Sequence, residues 1–209
     1  MPKKEVEKPW WKSPKKVFFA VIAVWFGFSI LLGIVESARF AAADKIAVVP
    51  ITGAIGISST FGSEGVFSQD VIDQLNTIEE DDSVKAVILE INSPGGAALP
   101  SKEISDKVKS LDKPTIAWIR DVGASGAYWI ATSSDYIVAD ELSITGSIGV
   151  VSSYLQFEEL FDDYGITYER LVSGKFKDTG SPFKELSPEE TRLLQGKINI
   201  IHNIFVEEV

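Results

Sequence analysis

Residues 17–35 read VFFAVIAVWFGFSILLGIV, a run of 19 residues with no charge and no proline, in which Ser29 is the one clearly polar side chain. At about 1.5 Å rise per residue such a helix spans about 28 Å, close to the ~30 Å hydrocarbon core of a bilayer. The run is apolar all round rather than striped, which argues against a helix buried in a soluble core. Six lysines precede it (Lys3, Lys4, Lys8, Lys12, Lys15 and Lys16), with Trp10 and Trp11 among them, while Glu36 and Arg39 follow. Basic flanks and interfacial aromatics predict an N-terminus in the cytoplasm, a single-pass anchor, and residues 44–209 on the other side of the cell membrane. The alternative is a cleaved leader ending at Ala41-Ala42-Ala43, but 19 apolar residues are long against the ~7–15 of a signal peptide.

Charge divides the chain at the same place. Residues 1–43 carry seven basic and three acidic side chains, whereas the other 166 carry 13 and 27. With no Cys, one His and an overall charge of −10, the chain lacks what a disulfide scaffold, a zinc finger, a cysteine hydrolase or a generic nucleic-acid binder needs. The expected organisation is a basic N-terminus (1–16), a transmembrane helix (17–35), a linker (36–43) and one extracytoplasmic domain (44–209), long enough to bury a single core.

Within that domain, strand and helix patterns alternate. Strands are expected at 45–51, 84–91, 115–119, 136–139, 148–151 and 166–172, from short β-branched apolar runs. Helices are expected at 68–78, 100–111, 124–131, 155–161 and 188–209, the last opened by Ser187, Pro188 and Glu190 as a capping box. The final residues, Glu207-Glu208-Val209, fall inside a continuing helical pattern. Such βαβα alternation predicts an α/β fold with a mainly parallel sheet, flanking helices and functional strand-end loops.

Three segments could carry chemistry. Gly123-Ala124-Ser125-Gly126-Ala127 places a serine at a strand-to-helix junction, where free N–H groups and the helix dipole favour developing negative charge. It looks like a nucleophile elbow with Gly123 two residues before the serine but Ala127 in place of the glycine two residues after it, and small residues there would equally serve close helix packing. Asn92-Ser93-Pro94-Gly95-Gly96 follows the strongest strand; its glycines permit close backbone approach and would suit an oxyanion hole, or simply a tight turn. A nucleophilic serine needs a base. The lone His202 sits in an ordinary helical context, which disfavours a Ser-His-Asp triad and leaves a lysine neutralised by burial. Residues 174–183, GKFKDTGSPF, offer Lys175 and Lys177 in a turn-rich, aromatic stretch, and residue patterns do not choose between them.

In order and spacing, INSPGG (91–96), GASGAYWIA (123–131), TGSIGV (145–150) and GKFKDTGSPF (174–183) resemble the signal peptide peptidase SppA family, across roughly residues 44–209. The resemblance implies a ClpP/crotonase-type fold and a membrane-bound Ser/Lys endopeptidase that uses no cofactor and no metal. It implies Ser125 as nucleophile, Lys177 rather than Lys175 as base, and Ser147 as the hydroxyl that positions the lysine amine. The N–H groups of Gly126 and of Gly96, with Gly95 beside it, would form the oxyanion hole, and Tyr128 and Ile55 would border the substrate groove. Ala127 stands where many members have a second glycine. Implied partners are remnant signal peptides or other membrane-proximal peptides, membrane lipid along 17–35, and further copies of the chain in a ring with active sites shared between subunits. Related members run on beyond the point corresponding to Val209. The nearest alternatives are the NfeD-partner type of membrane serine protease, an acyl-thioester enzyme of the same broad fold, and a non-catalytic membrane scaffold.

Overall fold

The computed structural model describes residues 14–41, 43–57 and 65–209. The basic N-terminal lysines up to Lys12, Trp10 and Trp11, and Ala42 of the expected linker lie outside the described residues. By contacts the chain divides between Lys45 and Ile46 into two compact units. In the first, α1 (Pro14–Ala41) extends the apolar run at both ends. Its stretch Pro14–Glu36 is long and apolar enough to cross a membrane.

The second unit is built on a mostly parallel sheet. Strands β1 (Lys45–Thr52), β4 (Val84–Ser93), β5 (Thr115–Ala124) and β6 (Tyr136–Ala139) lie side by side in that order, and β7 (Ile144–Gly146) also pairs with β5. The pairings of β4, β6 and β7 with β5 are parallel. One edge of β5 is used twice: β6 takes Ile116 to Ile119, and β7 takes Val122 to Ala124. Two-residue strands β2 (Ile55–Gly56) and β3 (Val66–Phe67) form a small parallel pair beside it.

Alternation along the strands decides which face is core. Val87, Leu89, Ile91 and Ser93 of β4, and Thr115, Ala117 and Ile119 of β5, are buried. They meet Val71 and Leu75 of α2 (Ser68–Glu80), Ile104 and Val108 of α3 (Ala98–Lys109), and Ala127 and Ile130 of α4 (Gly126–Thr132). Each helix contributes residues three or four apart, so a single stripe docks on the sheet. Full burial of such a Leu, Ile or Val side chain stabilises the fold by about 1.5–3 kcal/mol. The other face is open: Val48, Trp118 and Val138 are exposed on three different strands, and all four residues of β6 are exposed.

Several expected elements differ. β5 runs through Ala124, so α4 starts at Gly126 rather than at 124. Residues 148–151 and 166–172 are not strands: neither run joins a sheet, and a β-branched run becomes a strand only when it finds a pairing partner. The helix expected at 155–161 is α5 (Glu158–Asp163), delayed because the Phe157 amide donates to the Pro182 carbonyl at 2.7 Å.

The long helix α6 (Pro188–Glu208) opens with the expected box: Ser187 accepts from the Glu190 amide, and Glu190 accepts from that of Ser187. Near its other end Phe205 stacks on Trp129 of α4, with ring centroids 4.7 Å apart and planes 9° from parallel. Glu208 accepts hydrogen bonds from Lys109 (2.9 Å) and from the Trp129 indole (3.1 Å), and it pairs with Lys102 at 3.1 Å. Burial pushes its carboxyl up, but these three donors together hold it down at about 2. Phe205 is 2% exposed, so Phe205→Ala should lower unfolding free energy by about 3–5 kcal/mol. Urea unfolding of the detergent-solubilised protein measures this, and a change below 1 kcal/mol, on the order of a surface substitution, would contradict the packing.

Candidate active site

The site forms where the ends of β4 and β5 meet. After Ile91 the register of β4 shifts, so that Ser93 lies beside Gly123. The following turn is held by its own side chains: Ser93 Oγ accepts from the Gly95 amide (3.1 Å), and Asn92 Oδ1 accepts from the Val122 amide on β5 (3.2 Å). The Ile55 amide donates to the Gly95 carbonyl, and the Ala97 amide donates to the Ile55 carbonyl. In such a parallel bridge Ile55 uses the groups flanking Gly96, so the N–H of Gly96 points away from it. A Cβ on Gly96 would lie 2.1 Å from the Ile55 oxygen, and one on Gly95 would lie 2.7 Å from both the Ala124 oxygen and the Gly126 nitrogen. Only glycines let the two strand ends approach this closely.

Ser125 lies against that turn. Its backbone has φ 52° and ψ −125°, a region that residues with a Cβ rarely occupy, at a cost of about 1–3 kcal/mol. Two hydrogen bonds hold it there: its amide donates to the Gly146 carbonyl (2.8 Å), and its carbonyl accepts from the Trp129 amide (3.0 Å). It occupies the N-cap position of α4 without making a side-chain cap, so its hydroxyl is not used in starting the helix. Gly126 is the first residue of that helix, where the N–H has no intrahelical acceptor. A Cβ on Gly126 would sit 2.2 Å from Ser101 Oγ and 3.5 Å from the Gly96 nitrogen. The backbones of Gly96 and Gly126 thus converge beside Ser125.

Gly96, Ser125 and Gly126 line an open pocket of about 460 Å³. Its remaining wall comes from Ala97 and Ala98, from Trp129, from residues 149–152, and from one side of α6: Leu194, Lys197, Ile198, Ile201 and Phe205. The α6 wall was not singled out from sequence, although its 4-3-4 apolar spacing was visible there. The other expected site residues are placed as follows. Ser147, exposed and with φ 57°, follows the Gly146 whose carbonyl holds Ser125. Ile55 is buried in the core, and its backbone holds the Gly96 turn. Tyr128 packs against the core and is not a lining residue of the pocket.

The two lysines of residues 174–183 differ sharply. Lys175 pairs with Glu189 at 2.6 Å and lies over the Phe176 ring. Lys177 is exposed, makes no side-chain hydrogen bond or ion pair among the described residues, and does not line the Ser125 pocket. Asp178, its neighbour, is turned to Arg170 and Lys184. Among the described residues no group of His, Cys, Asp and Glu is arranged to hold a metal ion.

Comparison with known families bears on this geometry. Residues 54–137 match the Clp protease family, and residues 107–209 match peptidase family S49. The chain carries a peptidase family S49 domain over residues 107–209. Among similar proteins, a candidate protease of Methanocaldococcus jannaschii is 36% identical over 204 residues, 92% of this chain and 65% of that protein. A candidate signal peptide peptidase SppA of Enterococcus faecium is 39% identical over 171 residues, 79% of this chain and 50% of its own. The chloroplastic serine protease SPPA of Arabidopsis thaliana is 35% identical over 169 residues, 78% of this chain and 25% of its own. The chain therefore spans from a quarter to about two thirds of these relatives.

The segment carrying Lys177 is joined to α6 by a carboxylate that titrates far below its usual range. Glu190, 3% exposed, accepts from Lys184 (2.5 Å), Thr179 (3.2 Å) and Ser187. Lys184 is the main reason its carboxyl is held down at about 2, against an ordinary 4.5. Its ionised form therefore favours the folded protein above the unfolded pKa, and that contribution fades as pH falls from 4.5 towards 2. Thermal melts over this range should show a shallower acid loss in Glu190→Gln than in the unchanged protein, with a residual slope from Glu208. Identical slopes would remove Glu190 from the acid response.

Proposed function

We propose that this chain is a membrane-anchored serine endopeptidase with a Ser125/Lys177 dyad, cleaving remnant signal peptides or other membrane-proximal peptides. The observation that carries the reading is Ser125 held at φ 52° between the Gly95-Gly96 turn and Gly146. A neutral Lys177 amine takes the Ser125 hydroxyl proton as Oγ attacks the scissile carbonyl. The oxyanion accepts from the N–H groups of Gly126 and Gly96. Collapse of the tetrahedral intermediate breaks the C–N bond, and Lys177 returns the proton to the leaving amine. Water, deprotonated by the same amine, then releases the acyl group and restores the Ser125 hydroxyl. Ser147 positions the amine from the loop that already holds Ser125. In this reading α1 is the anchor, with the basic end in the cytoplasm and the peptidase unit outside.

The dyad is proposed to form between subunits of a ring. Two observations support this: Lys177 is exposed and absent from the lining of its own chain's Ser125 pocket, and the sheet leaves an apolar face open. Parallel sheets are ordinarily covered on both faces.

Ser125→Ala and Lys177→Ala should each reduce peptide hydrolysis by about 10³-fold or more. Lys175→Ala, which removes a surface pair, should stay within about threefold. Co-assembled Ser125→Ala and Lys177→Ala chains should recover activity that neither shows alone. Full activity in Lys177→Ala would overturn the dyad, and absence of recovery in mixed assemblies would overturn the shared site.

A further inference from the structure

We infer that Lys197 is a specificity-determining residue that reads a carboxylate on the peptide bound at Ser125. The inference rests on Ser125 being the nucleophile.

Leu194, Ile198 and Ile201 give α6 an apolar stripe towards the pocket, and Lys197 is the one charged residue in the lining. An apolar wall favours any apolar side chain in proportion to buried area, and so discriminates weakly between sequences. A single cation in such a wall supplies direction and selection.

Lys197 is exposed, and among the described residues no side chain answers its charge. Three and four residues away on α6 stand Leu193, Leu194, Ile200 and Ile201, so no intrahelical ion pair can form. No Asp or Glu lines the pocket. Among the described residues Lys197 has no ion pair and no side-chain hydrogen bond, whereas Lys102, Lys107, Lys109, Lys175 and Lys184 are all paired with carboxylates. Lys177 shares the unpaired state but not the pocket. The acceptor that fits Lys197 is therefore a carboxylate carried in by the substrate. Two sources present the same chemistry: an Asp or Glu side chain near the scissile bond, or the free C-terminus of a short peptide.

The test uses the full chain in detergent or lipid and a panel of matched apolar peptides. One arm varies a single position near the cleaved bond through Leu, Gln, Glu and Lys; the other compares C-terminal acid with C-terminal amide. The expected result is that kcat/KM favours the carboxylate by about five- to tenfold in one arm, mostly through KM. Lys197→Arg should keep that ratio, Lys197→Gln should bring it near one, and Lys197→Glu should shift preference to the Lys-containing peptide. The arm showing the effect identifies the source. A ratio near one in the unchanged protein, or one that is the same in Lys197→Gln, overturns the inference while leaving the Ser125 reading intact. Equal loss on every peptide in Lys197→Gln but not in Lys197→Arg would place the residue in the chemistry and also overturn it. Unchanged hydrolysis by Ser125→Ala would instead bring down the reading on which the inference rests.

Discussion

Everything at the site depends on a backbone-to-backbone approach between the ends of β4 and β5. Gly95 and Gly126 lie so close that either Cβ would collide with atoms that cannot give way, the first with backbone and the second with the buried Ser101. That contact brings two strand ends, 30 residues apart in sequence, to one point and presses Ser125 into a conformation it would not take in isolation. The strain persists because three segments fix it: the glycine turn on one side, Gly146 on another, and the first turn of α4 beneath. The core supplies the stability that such a conformation consumes, through side chains that alternate along β4 and β5 and stripes that recur along α2 to α4.

The parts of this architecture that follow from local rules were legible before any coordinates. A run of 19 uncharged residues admits few structures, and α1 contains it. Val84 to Ile91 is a β-branched apolar run and lies within β4, and Ser187-Pro188-Glu189-Glu190 spells a capping box that closes as expected. The glycine turn was recognisable as a motif because close backbone approach demands glycine, whereas the φ of Ser125 was not, since residues with a Cβ rarely adopt it.

What was not legible depends on partners far away in sequence. The strand patterns at 148–151 and 166–172 are genuine local preferences, but a strand is a relation between two segments, and neither run pairs with a sheet. The pairs β2 and β3 are too short for any periodicity to register. The α6 wall was hidden for a related reason: the spacing of Leu194, Ile198, Ile201 and Phe205 says that a helix has an apolar side, not that the side faces Ser125. The distinction between Lys175 and Lys177, open on composition alone, became physical once Glu189 was seen to occupy the first.

The fastening of α6 bears on the pocket beside Ser125. At one end Glu208 ties it to two other helices; at the other, Glu190 ties it to the segment that holds Thr179 and Lys184. A rod fixed at both ends behaves as a beam, not as a flap. Its side chains can change rotamer, but the width of the channel between α6 and Ser125 is set in the resting molecule. In the proposed peptidase, selection of an extended peptide would be a property of shape already present, with no closing movement needed to create it.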